Sequence, residues 1–114
     1  MAALRDPVIL AQYKSALSNW KVTGYVDWKD RSRDWVRDNL APLTAPAIAE
    51  LMWRHVATGG EIDEVPESRP EWNDRASHYD LRIVIGGRRV YIETVLVDDD
   101  PEDPTVQVVS IHDV

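Results

Sequence analysis

The chain has 114 residues and a mass of 13.0 kDa, which fits a single domain of ordinary size. It contains no cysteine, so disulfides, thiol nucleophiles and cysteine-ligated zinc are excluded. The formal net charge of −7 argues against generic nucleic-acid binding, because phosphate backbones repel an acidic surface. No apolar stretch approaches the roughly 18 residues of a membrane span and no signal-peptide pattern is present, so we expect a soluble, cytoplasmic protein without membrane attachment.

Charge is divided unevenly along the chain. Residues 1–60 carry 8 Lys/Arg and 6 Asp/Glu, a balance of +2, whereas residues 61–114 carry 5 and 14, a balance of −9. A strongly acidic region attracts basic proteins at long range. This observation favours a module that binds a basic protein partner.

Three helices are predicted in the first half of the chain. Asp6 is expected to cap a helix over residues 7–19, which begins with a proline and has one apolar stripe. Asp27 is expected to cap a second helix, which is rich in charge. Thr44 should cap the third, which ends at a double glycine. The helical part of the domain therefore spans about residues 5–58.

The strongest local signal is the run of residues 78–97, two alternating strands joined by Gly86-Gly87. Glycine reaches the positive φ of a tight hairpin turn without a Cβ clash. Counting outward from the turn places Leu81 opposite Ile92 on an apolar face. The other face then carries Asp80, Arg82, Arg89, Tyr91 and Glu93.

A short strand is expected around residues 62–65, and a last strand follows over residues 105–112. If Ile92 pairs near Ile111, Val109 and Ile111 join the apolar face. The same parity places Ser110 and His112 on the polar face, and Val106 and Val108 on the outer side of the last strand.

Helices followed by antiparallel strands predict an α+β fold. We expect two or three N-terminal helices packed on one face of a three- to four-stranded antiparallel meander sheet. The meander part should span about residues 61–112 of a single domain that covers residues 1–114.

The polar face collects residue types that perform acid–base chemistry. Glu93 and His112, on adjacent strands, have the types needed for a general base and a general acid. Arg82, Arg89 and Tyr91 could bind a phosphate or a carboxylate, so a small anionic ligand is a further interpretation. The alternative interpretation is an ordinary solvent-exposed sheet face, which has the same composition without any site.

No metal site or cofactor is predicted. The three histidines lie on different elements without H-x-x-x-H spacing, and the acidic run lacks the Asp-x-Asp-x-Asp-Gly pattern of a calcium loop. No glycine motif for nucleotide binding is present. His78 is interpreted as a solvent-exposed side chain of the polar face, and Trp72 as a loop residue that covers the core or stacks on a partner.

The element order, together with Glu93, Arg82, Tyr91 and His112 on one sheet face, resembles the architecture of small metal-independent ribonuclease toxins of the barnase and RelE kind. The resemblance covers mainly residues 44–112 and includes no sequence motif. It implies cleavage of RNA without a metal ion. In that reaction Glu93 would take the 2′-hydroxyl proton and His112 would protonate the leaving oxygen.

The competing hypothesis is a non-catalytic module whose acidic loop neutralises a basic protein. The residues of that loop are Asp98, Asp99, Asp100, Glu102 and Asp103. Charge is a property of the whole chain, whereas the catalytic set depends on an assumed register, so the sequence favours binding over catalysis. Pairing of the exposed last strand could also produce a homo-oligomer.

Overall fold

A computed structural model describes residues 2–70, 77–98 and 102–114. The helices are α1 (Pro7–Ser18), α2 (Asp30–Leu40) and α3 (Ala45–Ala57). The strands are β1 (Ala2–Ala3), β2 (Val26–Trp28), β3 (Asp63–Pro66), β4 (Ser77–Ile85), β5 (Arg88–Asp98) and β6 (Thr105–Asp113). Within the described residues, no helix is long and apolar enough to cross a lipid bilayer.

The strands form one mixed sheet in the order β1-β3-β4-β5-β6-β2. The pairs from β3 to β6 are antiparallel, and only β2 runs parallel to its neighbour, β6. The predicted α+β class and the antiparallel meander are confirmed. The sheet is larger than predicted because two short segments from the first half of the chain, β1 and β2, pair with its outer strands.

The double-glycine hairpin has the predicted register. Gly86 and Gly87 adopt φ values of 58° and 80°, and Leu81 lies opposite Ile92. Both glycines therefore occupy the left-handed region that a two-residue turn of this kind requires. The charged residues of β4 and β5 consequently share the face that the sequence predicts.

The pairing of Ile92 with Ile111 is also confirmed, but the register shifts between Glu93 and Thr94. Beyond this β-bulge Thr94 lies opposite Val108. Because a bulge inserts one residue on one strand, it reverses which residues of β6 face the helices. Val106 and Val108 are fully buried in the core, so their predicted position on the outer side is wrong.

The helix starts follow the predictions in part. Asp6 caps α1, its carboxylate accepting the backbone N–H groups of Val8 and Ile9. Asp27 does not cap α2, because it lies in β2, where it accepts a hydrogen bond from Gln107. Thr44 occupies the cap position of α3, but its side chain makes no capping hydrogen bond.

The core lies between the helices and one face of the sheet. Both α1 and α2 contact β6, and α3 contacts β4. The largest buried side chains come from helices and strands together: Tyr13, Leu17, Ile48, Met52, Leu81 and Ile92. The Tyr13 hydroxyl reaches Thr94 of β5 at 2.7 Å. Residues of β5 at even positions therefore face the helices, and those at odd positions face away.

Candidate functional site

The sheet face that points away from the helices carries the candidate site. Alternation along three neighbouring strands places ionisable and hydroxyl side chains on this polar face. These are His78, Asp80 and Arg82 on β4, Tyr91 and Glu93 on β5, and Ser110 and His112 on β6.

Asp80 is the centre of the polar face, and its side chain is fully buried. One carboxylate oxygen accepts a hydrogen bond from His78 Nδ1 at 2.8 Å. The other accepts the hydroxyl of Tyr91, which lies on the neighbouring strand. A buried carboxylate is stable as an anion only when such donors compensate for the loss of water. His78 and Tyr91 are therefore held in fixed orientations by a common acceptor.

His78 was predicted to be exposed to solvent, but only 12% of its side chain is accessible. The segment that follows β3 brings Glu67 close to His78, and the alternation of β4 alone does not reveal this contact. A clue was present in the sequence, since two residues separate His78 from Asp80 and the two therefore share a sheet face. This spacing is compatible with a direct hydrogen bond between neighbouring side chains.

Tyr91 connects the centre of the face to its outer part. Burial, followed by the hydrogen bond to Asp80, raises the pKa of the Tyr91 hydroxyl above its ordinary value. The hydroxyl therefore stays protonated and acts as a donor. The ring stacks on the imidazole of His112, with centroids 5.0 Å apart and 22° between the planes. The guanidinium of Arg82 lies 5.2 Å from the same ring.

Arg69 joins the face from outside the meander. Its Nε and Nη2 donate to the two carboxylate oxygens of Glu67, each at 2.9 Å, and Nη2 also reaches Glu93. These hydrogen bonds lower the pKa of Glu67 to about 2 and raise that of Arg69. Only 1% of the Glu67 side chain is accessible, so the segment after β3 covers part of the polar face.

The register brings the two predicted catalytic residues onto adjacent strands but gives them different partners. Glu93 lies opposite Ser110 and is bound by Arg69, whereas His112 lies opposite Tyr91 and is exposed. Asp80 lies directly opposite Glu93, and Arg82 is the nearest arginine along β4. Arg82 forms an ion pair with Asp63 of β3.

The predicted anion-binding residues are split between two places. Arg82 and Arg89 line a small cavity of about 110 Å³ near the hairpin turn, together with Val84 and Val114. Tyr91 is not part of this lining. The cavity is smaller than the roughly 300 Å³ at which sites for small organic ligands begin. It can accommodate a single inorganic anion or part of a larger ligand.

The predicted partner-binding loop connects β5 to β6. Glu102 and Asp103 are exposed, and the backbone of Asp98 ends β5. Asp99 and Asp100 lie outside the described residues, as does Trp72.

A group of potential metal ligands is also present on the polar face. One donor atom each from Glu67, His78 and Glu93 lies within 4.8 Å of the others. The sequence did not indicate this group, because its members come from separate segments and show none of the local spacings that mark metal sites.

Comparisons of the chain with protein-family models, with curated protein sequences and with solved structures found no match. The function proposed below therefore depends on the geometry and charge of the described residues.

Proposed function

We propose that the polar face is an acid–base catalytic site and that the chain is a small phosphodiesterase that cleaves RNA without a metal ion. The observation that carries this proposal is the hydrogen bond between His78 and the fully buried Asp80. A histidine whose Nδ1 is held by a carboxylate is the arrangement that many enzymes use to orient a general base. This hydrogen bond is the reason for proposing catalysis here, whereas the sequence alone favours a binding function.

His78 has the properties of the base. Because Asp80 is an acceptor, Nδ1 of His78 carries the hydrogen, and Nε2 of the neutral imidazole keeps its lone pair. Nε2 would take the proton of an RNA 2′-hydroxyl. This assignment differs from the one expected from sequence, in which Glu93 is the base. One carboxylate oxygen of Glu93 already accepts a hydrogen bond from Arg69, so Glu93 is less available to a substrate hydroxyl.

His112 remains the acid of the proposed reaction. His112 is exposed and stacked on Tyr91, so a substrate can reach its ring. The 2′-oxygen attacks phosphorus after losing its proton to His78, and the bond from phosphorus to the 5′-oxygen breaks. That oxygen receives a proton from His112. The products are a 2′,3′-cyclic phosphate and a free 5′-hydroxyl, so no other reactant is needed.

Cations near the face would stabilise the negative charge that develops on phosphate. Arg89 is exposed, and none of the described residues forms an ion pair with its side chain. Arg82 lies against Tyr91 between the hairpin turn and Asp80. Both could contact phosphate oxygens of a bound substrate.

The test is cleavage of a dinucleoside phosphate that carries a 2′-hydroxyl, measured in the presence of a chelator. We expect a cyclic phosphate product from the unmodified protein. His78→Ala should lower the rate by about 10²–10⁴-fold, the usual contribution of a general base. Asp80→Asn should also lower it, because the amide can present a donor to Nδ1 and favour the wrong tautomer. His55→Gln, on α3, is the matched control and should retain the rate.

Two results would oppose the proposal. The first is a rate indistinguishable from the blank for the folded protein. The second is an unchanged rate in His78→Ala. If Glu93→Gln abolishes cleavage while His78→Ala does not, the base is the residue expected from sequence.

The second candidate function is binding of a basic protein by the acidic half. The described arginines at positions 69, 82 and 88 all form ion pairs with acidic residues of the same half. These ion pairs leave the balance of residues 61–114 at −9, and exposed acids such as Glu102 and Asp103 bring part of it to the surface. Such a surface favours fast association with a cationic partner.

This alternative is tested by capturing basic proteins at increasing salt concentration and identifying what binds. Neutralising the exposed loop with Glu102→Gln and Asp103→Asn should weaken capture of a specific partner. Asp34→Asn and Asp38→Asn, on the exposed side of α2, serve as the matched control. Equal effects of the two pairs, or capture that does not depend on salt, would count against a binding site in the loop.

A further inference from the structure

We propose that Glu67, His78 and Glu93 bind a divalent transition-metal cation, for which zinc is the appropriate probe. One donor atom of each residue lies within 4.8 Å of the other two, and the part of the chain that the structure describes contains no second group of this kind. One imidazole and two carboxylates are ligands that zinc accepts. The inference is independent of the proposed RNA cleavage.

The partner of His78 supports this assignment. Metal-binding histidines almost always donate their second ring N–H to a carboxylate, a carbonyl or a water, which orients the ring. Asp80 accepts the Nδ1 hydrogen of His78, so Nε2 is the nitrogen available to a metal. The fully buried Asp80 thus has the position of an outer-shell residue.

The charge balance of the cluster gives an independent reason. Glu67, Asp80 and Glu93 have side-chain accessibilities of 1%, 0% and 12%. Arg69 is the only arginine or lysine with an ion pair to these carboxylates among the described residues. One guanidinium therefore pairs with two of these carboxylates, and within the described ranges Asp80 has only the hydrogen bonds from His78 and Tyr91. All three lie where access to water is low and unbalanced charge is costly. A divalent cation would supply the missing positive charge.

Arg69 and a metal ion would compete for the same oxygens. The guanidinium contacts Glu67 and Glu93, two of the three proposed ligands. Its side chain is 35% accessible, so it is the most exposed member of the cluster and can exchange its ion pairs for water at the lowest cost. Arg69 would thus fill the cation position when metal is scarce. Removing its charge should strengthen metal binding.

The choice of metal follows from the ligands. Imidazole suits zinc, copper, nickel and iron, whereas calcium and magnesium prefer oxygen ligands alone. Zinc is expected to bind, and calcium and magnesium to bind far more weakly. A metal on Nε2 would occupy the lone pair that the proposed base needs, so zinc should inhibit RNA cleavage rather than support it.

The test is calorimetric titration of the purified chain with zinc chloride, without RNA. We expect one zinc ion per chain. His78→Ala and Glu93→Gln should each weaken binding by at least about 10-fold, and Asp80→Asn by about 10–100-fold, as outer-shell changes do. Arg69→Met should strengthen binding. His55→Gln controls for zinc bound by another histidine and should leave the affinity unchanged.

Absence of stoichiometric zinc binding in both the unmodified protein and Arg69→Met, with each shown to be folded by its thermal transition, would overturn the proposal. Zinc binding that survives His78→Ala and Glu93→Gln would also overturn it, because the ion would then be held elsewhere. Failure of RNA cleavage has no bearing on this result, since the titration measures binding alone.

Discussion

Both faces of the sheet contain buried side chains, but these are stabilised in different ways. On the helix side, Leu81 and Ile92 are completely buried in an apolar core. On the polar side, Asp80 is also completely buried, and only 12% of the Glu93 side chain is accessible. Burial of apolar side chains is itself stabilising, whereas burial of charges must be compensated by hydrogen bonds and ion pairs.

This difference separates stability from function. Buried ion-pair networks are often no more stabilising than apolar residues of similar size would be. A small domain has little stability to spare, so the cost of burying these polar groups is consistent with the catalytic role proposed for them. We therefore expect substitutions on the helix-side face to change stability most, and substitutions on the polar face to test the proposed cleavage.

The largest expected effect on stability is on the helix side. Leu81→Ala should lower the free energy of unfolding by about 2–5 kcal/mol, through lost burial and the cavity left behind. Val84→Ala, at a position of the same strand that is 67% accessible, should change it by less than about 0.5 kcal/mol. Denaturant unfolding measures both. Equal losses would contradict the contrast between the faces.

A smaller loss of stability is expected when the ion pairs of Arg69 with Glu67 and Glu93 are broken. Arg69→Ala leaves Glu67 and Glu93 without their shared cation and should cost about 2–3 kcal/mol, less than for a fully buried pair because Arg69 is partly exposed. Adding Glu67→Gln should recover part of this loss, because one unpaired charge disappears. Arg54→Ala, which removes an exposed helix pair with Glu50, should cost at most about 0.5 kcal/mol.

Comparing the two single variants with the double variant also tests whether Arg69 and Glu67 stabilise each other. Additive effects of Arg69→Ala and Glu67→Gln would mean that the two side chains do not stabilise each other. The buried acids of the polar face would then need another source of compensation.

Much of the sheet could be predicted from sequence because its strongest signals are local. A two-residue glycine turn determines register, and register determines which of Asp80, Arg82, Tyr91 and Glu93 share a face. The strand β2 has only three residues and pairs with β6 far away in the chain, so it has no periodic pattern of its own. Short parallel edge strands of this kind depend on tertiary contacts.

The candidate site was only partly predictable for the same reason. The pairing of His78 with Asp80 follows from alternation along one strand and could have been inferred. The contact between Arg69 and Glu93 depends on how the segment after β3 crosses the sheet, and 24 residues separate the two positions. The β-bulge after Glu93 likewise left no local signal, which is why the side chains of Val106 and Val108 were assigned to the wrong face.

Low pH should remove the stability that the ion pair between Glu67 and Arg69 contributes. Its pKa is about 2, against 4.5 for an ordinary glutamate, because Arg69 stabilises the charged form. The stabilising contribution is therefore complete above about pH 4.5 and is lost as the pH falls toward 2. We expect Glu67→Gln to be less stable than the unmodified protein by about 1–2 kcal/mol at pH 7 and to approach it at low pH.

Urea unfolding across this pH range measures the difference between the two proteins. Glu61→Gln, which removes an exposed acid, controls for the loss of one carboxylate. Parallel stability curves for Glu67→Gln and the unmodified protein would show that Arg69 does not depress the pKa of Glu67 in solution.

The smallest effect on stability is expected at the hairpin turn between β4 and β5. A Cβ added at Gly87 would have no heavy atom within 4 Å, so Gly87→Ala should cost only the backbone strain of φ 80°, about 1 kcal/mol. Gly86→Asn should be nearly neutral, because asparagine tolerates φ near 58° and is common at this turn position. Thermal unfolding ranks the two variants, and a larger loss for Gly86→Asn would contradict the assigned turn. Since the turn positions both faces together, neither variant should alter the proposed cleavage per folded molecule, whereas His78→Ala should lower it by about 10²–10⁴-fold.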